Sequence, residues 1–363
     1  QTSLIPAFLR EQYRYRFNCV PRPNYERIRT LLTIHNIAYQ GRFPLSDIDL
    51  TELDWRLYHA GSLEFHGQFC LLKAGILYSD FINTVSPTYA HEIQTESYGC
   101  GLDGILHHNR DRLCGIVNGV DYSVWNPASD PNLSARYDVD HLDGKQICKR
   151  ALQHEMGLPE SPHSPLCGVV ARLAEQKGID LIAAVVPRMM DAGTQFVLLG
   201  EGEKKYHGIF EELQRQYPDQ MRIRLGFDEG LAHRIEAGAD FFLMPSAFEP
   251  SGLNQLFSLR YGTPPVVRAT GGLADTVTDT HIQTLRNQTA TGFRFNRYHP
   301  DDLWRAIERA IGLYRSYPEE WGRVVRNGMK QDWSWDRSAA EYERLYRRIM
   351  QPNRVMDSLT RSK

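Results

Sequence analysis

Along the chain, short apolar or β-branched runs alternate with stretches of helical character, the pattern of a parallel α/β protein. In the first part this pattern predicts strands over Thr30 to Ile34, Phe81 to Val85 and Leu113 to Val117. Helices are predicted over Gln68 to Tyr78 and from Pro87 to about Thr95. So few strands are short for a doubly wound domain, and part of this domain is expected to be missing. Asn118-Gly119-Val120-Asp121, with Asn126-Pro127-Ala128-Ser129-Asp130-Pro131 behind it, has the turn residues of a linker. After a helix around Lys145 to Met156, strands are predicted over Leu166 to Ala171, Gln195 to Leu199, Met221 to Leu225, Ala239 to Met244, Pro265 to Arg268 and Gly292 to Phe295. Helices fill the gaps, as over Gly178 to Met190 and Lys204 to Gln216, and the last ones run from Pro300 and include Ser334 to Met350. The expected division is therefore a partial first domain at 1–121, a second at 122–330, a terminal helix at 331–350 packing back on the first domain, and a polar, frayed tail at 351–363.

A length of 363 residues accommodates two domains, and 42% hydrophobic with 24% charged residues fits a soluble globular protein. The net charge of -2 gives no general attraction to nucleic acid or to an anionic membrane, so function must reside in local sites. No apolar run approaches the roughly 18 residues of a membrane span. The chain begins at Gln1 without Met, which is compatible with a processed or truncated start. Cys19, Cys70, Cys100, Cys114, Cys148 and Cys167 show no CxxC spacing and sit mostly in apolar surroundings, as reduced thiols of a cytosolic protein do. Neither G-x-G-x-x-G after a strand nor a P-loop occurs, which weakens dehydrogenase and P-loop readings. Asp47-Ile-Asp49 and Asp138-Val-Asp140 follow no convincing buried strand, and His107-His108 lacks partners at ligand spacing, so no metal is expected.

Residues 245 to 276 carry the densest chemistry. Glu249 lies between an apolar strand and the turn Ser251-Gly252, which opens a helix over Leu253 to Tyr261. Unpaired N–H groups at such a helix start suit phosphate. A similar turn, Thr270-Gly271-Gly272, follows the next strand. Both lie at the C-terminal ends of strands, where open α/β sheets bind ligands. Arg172 and Lys177, at a strand end and a helix start, could grip one pyrophosphate or could be ordinary exposed cations. Gly200, in Leu199-Gly200-Glu201-Gly202, marks either a tight turn or the wall of a nucleotide pocket, and Phe227 is either a loop aromatic or a platform for a purine. His35, just past the first strand, could bond nearby backbone or contact a ligand.

These residues resemble bacterial glycogen synthase and plant starch synthase, over about residues 4 to 350. The matching motifs are Thr33-Ile-His-Asn-Ile-Ala-Tyr-Gln-Gly41, Leu72-Lys-Ala-Gly75, Thr84-Val-Ser-Pro-Thr-Tyr89, Val117-Asn-Gly-Val-Asp121, Arg172 to Gly178, Phe248 to Leu256 and Thr270 to Thr276, in order. The wider group of such transferases has a second glutamate eight residues after the first; Phe257 occupies that position, as in the glycogen and starch synthase branch. With no lysine-centred pyridoxal phosphate motif, it disfavours another transferase or a glucan phosphorylase.

The resemblance implies a GT-B type fold of two facing Rossmann-like domains and a retaining hexosyltransferase. That enzyme moves glucose from ADP-glucose to the non-reducing end of an α-1,4-glucan such as glycogen, without cofactor or metal. It places Glu249 on the transferred glucose and the developing positive charge, with His35 and Asn36 on the same sugar. Arg172 and Lys177 take the diphosphate leaving group. Ser251, Gly252, Leu253 and Asn254, with Asn118, Gly200, Thr270, Gly271 and Gly272, complete the substrate contacts, and Phe227 stacks on adenine. The cytoplasm is the expected location, or the plastid for a plant protein. The family's Lys-x-Gly-Gly-Leu loop has no counterpart here, so the first domain is expected to be N-terminally incomplete. The alternative is a catalytically impaired nucleotide- or glucan-binding fragment.

Overall fold

The computed structural model describes residues 2–13, 15–16, 20–21, 25 and 27–351. Cys19 and all of the polar tail after Gln351 lie outside them. The chain divides into two units, one of Gln1–Val117 with Ser338–Lys363 and the other of Asn118–Arg337.

In the first unit, β1 (Tyr15–Arg16) pairs antiparallel with β2 (Val20–Pro21). A parallel sheet has β3 (Leu31–Ile34) at one edge. A three-stranded antiparallel sheet is made of β4 (Arg42–Phe43), β6 and β5 in that order, where β5 is Glu64–Phe65 and β6 is Gln68–Cys70. The parallel sheet is completed by β7 (Phe81–Thr84) and β8 (Leu113–Gly115), in the order β3-β7-β8. Ile34, Ile76, Ile82, Tyr89 and Leu106 fill the core of this sheet. The helix Trp335–Met350 brings Leu345 against Phe81 and Ile116, and its Tyr342 hydroxyl accepts from Asn83 Nδ2 at 3.0 Å.

The helix expected from Gln68 begins instead at Leu71, because residues 68–70 are a strand. Phe65 and Gln68 face each other in the ladder, leaving His66 and Gly67 as a two-residue turn, both at positive φ (53° and 78°). That is the backbone a tight hairpin demands. Cys70 then caps the helix, its sulfur accepting the Lys73 N–H at 3.5 Å.

The second unit is built on six parallel strands: β9 (Leu166–Val170), β10 (Gln195–Gly200), β11 (Met221–Leu225), β12 (Phe241–Met244), β13 (Pro265–Arg268) and β14 (Phe293–Phe295). All were predicted, within two residues at each end. Their order is β11-β10-β9-β12-β13-β14, so successive strands run outward in one direction from β9 and in the other from β12. The loops after β9 and β12 therefore leave the sheet side by side at its switch point, where the crevice of a doubly wound fold opens.

Buried polar groups lock this frame. Lys149 pairs with Asp240 at 2.7 Å with both side chains nearly inaccessible, and Asp240 also accepts the Leu166 N–H at 2.7 Å. Trp125 is sandwiched between His233 and Phe257, each ring 3.8 Å away and nearly parallel. Phe257 is thus a packing residue. Among the described residues no helix is long and apolar enough to cross a membrane.

Candidate active site at the switch point

The loop after β12 holds Glu249 and the loop after β9 holds Lys177, and the sheet order makes these loops neighbours. Lys177 Nζ lies 2.6 Å from Glu249 Oε2. The same oxygen accepts from Ser246 Oγ at 3.0 Å. Glu249 is 5% exposed, so its charge depends on those partners for compensation. The two loops press together so closely that a Cβ on Gly178 would overlap the Pro245 carbonyl, and Gly178 sits at φ 69°. Only glycine meets both conditions.

The Thr270-Gly271-Gly272 turn does more packing than its sequence indicated. A Cβ on Gly271 would overlap Glu249 O, and one on Gly272 would overlap Ser251 O. The Gly272 N–H donates to Glu249 O at 3.1 Å, so it supports the Glu249 loop and is not open to an anion. The buried Thr270 donates its own N–H to Arg268 O at 2.9 Å. The helices at the two turns, Asn254–Arg260 and Gly271–Thr276, are short, seven and six residues long, which limits the help their dipoles give.

Ser251 is the remaining polar feature of the first turn: its Oγ is buried and has no hydrogen-bond partner among the described residues. A buried hydroxyl in that condition is suited to a ligand. Leu253 is exposed and Gly252 half-buried. Asn254 Nδ2 donates to Val170 O at 2.6 Å, so this side chain ties its helix to the end of β9.

Arg172, Gly200, Phe227 and Asn254 line a mainly apolar cavity of about 330 Å³ at the ends of β9, β10 and β11. Phe227, one of its lining residues, is 88% exposed. In the first unit, His35 is exposed just beyond β3, and Asn36 Oδ1 accepts the Ala38 N–H at 3.0 Å. Asn118 is half-buried at the first position of the second unit. Within the second unit, then, the structure brings together Arg172, Lys177, Gly200, Phe227, Glu249, the Ser251–Asn254 turn and the Thr270–Gly272 turn.

Three residues at this place were not singled out from sequence. Gln176 accepts from Arg172 at 2.9 Å and donates to Phe248 O at 3.2 Å. Ser246 donates to Glu249, and Arg268 donates to Ser246 O at 3.3 Å and to Ala247 O. Ser246 and Arg268 sit at strand ends facing the crevice, a positional signal that needed the strand order to become readable.

The doubly wound sheet with its carboxylate, two cations and glycine turns at the switch point has the fold of the GT-B glycosyltransferases. Residues 157–327 match the family described as "Glycosyl transferases group 1", and residues 1–108 match "Starch synthase catalytic domain". The chain belongs to the glycogen and starch synthase family of retaining hexosyltransferases. A glycogen synthase of Anaeromyxobacter dehalogenans is 51% identical over 96% of this chain and 71% of its own length. Glycogen synthase 2 of Nitrosococcus oceani is 45% identical over 96% of this chain and 69% of its own. Among solved structures, the catalytic domain of starch synthase IV from Arabidopsis thaliana, bound to ADP and acarbose, superimposes with a TM-score of 0.88 at 36% identity, over 96% of this chain and 71% of that one. A sucrose-phosphate synthase from Thermosynechococcus elongatus shares the fold, with a TM-score of 0.54 at 20% identity over 77% of this chain and 60% of its own.

Proposed function

We propose that the chain takes a nucleotide-sugar donor and a glucan acceptor, and specifically that it transfers glucose from ADP-glucose to the non-reducing end of an α-1,4-glucan with retention. The observation that carries this is the Lys177–Glu249 pair at the switch point, with the Arg172 guanidinium on the same loop as Lys177. The ADP held by the neighbouring starch synthase supports the adenine nucleotide.

In the proposed reaction the bond between the anomeric carbon and the diphosphate oxygen breaks, and its electron pair leaves with ADP. The acceptor hydroxyl oxygen bonds the anomeric carbon on the same face, and its proton passes to the departing phosphate oxygen. Lys177 and Arg172 stabilise the negative charge that grows on the diphosphate, and Glu249 balances the positive charge that grows on the sugar. Fixed charges aimed at developing charge are the largest single source of such catalysis. Ser251 Oγ and the N–H groups of Gly252 and Leu253 are proposed to take phosphate oxygens, with Gly271 beside them. Phe227 and Gly200 would bound the adenine, and Asn118, His35 and Asn36 would contact the sugar ends of the substrates.

The test is to incubate the chain with radiolabelled ADP-glucose and a glycogen primer, then digest the product with β-amylase. Label entering the glucan and released as maltose is the expected result. Free labelled glucose with none in the glucan would overturn the proposal.

A further inference from the structure

We propose that Gln176 is a positioning residue that sets the Arg172 guanidinium and the Glu249 loop in one frame; this rests on the ADP-binding reading of the site. Gln176 lies in the single turn Glu175–Lys177 after β9 and is half-buried. Both ends of its amide are occupied. Oε1 accepts from Arg172 NH2 at 2.9 Å, and Nε2 donates to Phe248 O at 3.2 Å, one residue before Glu249. Its backbone joins in, since Gln176 O accepts the Ala247 N–H at 2.9 Å. Lys177, the next residue, holds the Glu249 carboxylate. One dipeptide therefore touches a cation, the Glu249 carboxylate and the two residues that precede it.

Arg268 braces that loop from the opposite side. Its guanidinium donates to Ser246 O and Ala247 O and, through Nε, to Asn296 O at 3.2 Å. Tyr298, whose ring lies 5.9 Å from that guanidinium, donates to Asp180 Oδ1 at 2.6 Å, and its hydroxyl lies 3.2 Å from Glu175 O. The β9 and β12 loops are thus closed into a ring through β13 and the turn after β14.

The residue type follows from charge. Arg172 is exposed and carries a long side chain, so leaving it free would cost conformational entropy whenever it engaged a ligand. A neutral amide oxygen orients a guanidinium and leaves its net charge available for phosphate. Glutamate at this position would orient it equally well, yet it would cancel that charge and deprive Phe248 O of its donor. Leucine would keep the shape and lose both bonds.

The experiment compares Gln176→Leu and Gln176→Glu in the full chain, each with and without Arg172→Ala, by calorimetric titration of ADP beside thermal unfolding. We expect Gln176→Leu to weaken ADP by about tenfold and Gln176→Glu by more, since charge-assisted bonds are the stronger ones. In the Arg172→Ala background the effect of Gln176→Leu should shrink to within about twofold, because contacts in one network do not add. A merely structural residue would lower the unfolding temperature alike in both backgrounds, with no dependence of ADP binding on Arg172. Gln176→Glu binding ADP as tightly as the unaltered chain, or a Gln176→Leu loss that persists without Arg172, overturns the inference alone. An unaltered chain blind to ADP overturns the binding reading and this inference with it.

Discussion

Replacing Glu236 by glutamine should stabilise the protein by an amount that grows with pH. Glu236 is 1% exposed, and its Oε2 accepts from Ser258 Oγ at 2.7 Å. Ser258 lies on the helix Asn254–Arg260 that follows the Glu249 loop, so this contact anchors the site from below. Burial pushes the Glu236 carboxyl from 4.5 up to about 8. Through that window the unfolded chain gives up its proton while the folded chain keeps it, so wild-type stability falls as pH rises. At about 1.36 kcal/mol per pH unit, the loss reaches about 4 kcal/mol by about pH 7.5. Glutamine keeps the shape and the acceptor for Ser258 and does not titrate. Nearby Lys145 is pushed down from 10.5 to about 8 by burial, so the stability it contributes is lost as pH falls across that higher range and does not confuse the comparison. Urea unfolding followed by far-UV circular dichroism, at intervals from about pH 5 to about pH 8, reads the gap between the two proteins. It should be near zero at the acid end and widen steadily with pH. A gap that stays constant, or a variant that becomes the weaker protein at the alkaline end, would show that folded Glu236 is ionised and paired with Lys145.

Gly271→Ala should place a methyl group against Glu249 O and cut transfer by at least about tenfold with the circular dichroism spectrum unchanged, as small misplacements at a reacting centre do. Asp240→Ala should leave the Lys149 charge buried without its partner and cost about 3–5 kcal/mol, read as a lower urea midpoint. Phe227→Ala should weaken ADP by about tenfold and leave unfolding untouched, since its exposed ring contributes little to the core and stacking on a base is worth about 1–3 kcal/mol.

The strands of the second unit were legible because each is a short apolar run bounded by turn residues, and burial on both faces requires that composition. The Glu249 turn and the Arg172 to Gly178 loop could be picked out because each directly follows such a run, and the C-terminal ends of strands are where open α/β sheets bind ligands. What sequence could not give was the division of labour inside the crevice. Gly272 looked like an anion turn, yet its N–H serves Glu249 O, and a glycine needed for close approach has the same letter as one needed for a phosphate. Phe257 was readable as a departure from the wider group of transferases, but its partner Trp125 is far away in the chain, and only the fold stacks them. Gln176 passed unnoticed because an amide in a polar loop carries no signal until both of its hydrogen bonds are known. The hairpin at His66-Gly67 was missed because the apolar run on its far side reads equally well as the start of the following helix.

The most direct measurement of the proposed mechanism is Glu249→Gln, with turnover of ADP-glucose and affinity for ADP determined on the same preparation. Glu249 is buried against Lys177 and Ser246, and glutamine keeps its size while removing its charge. If that charge acts on the sugar as the bond to ADP breaks, turnover should fall at least about a hundredfold while ADP affinity stays within a few-fold. Turnover that survives, or a loss of ADP affinity as large as the loss of turnover, would make Glu249 a structural member of the turn and contradict the proposed role.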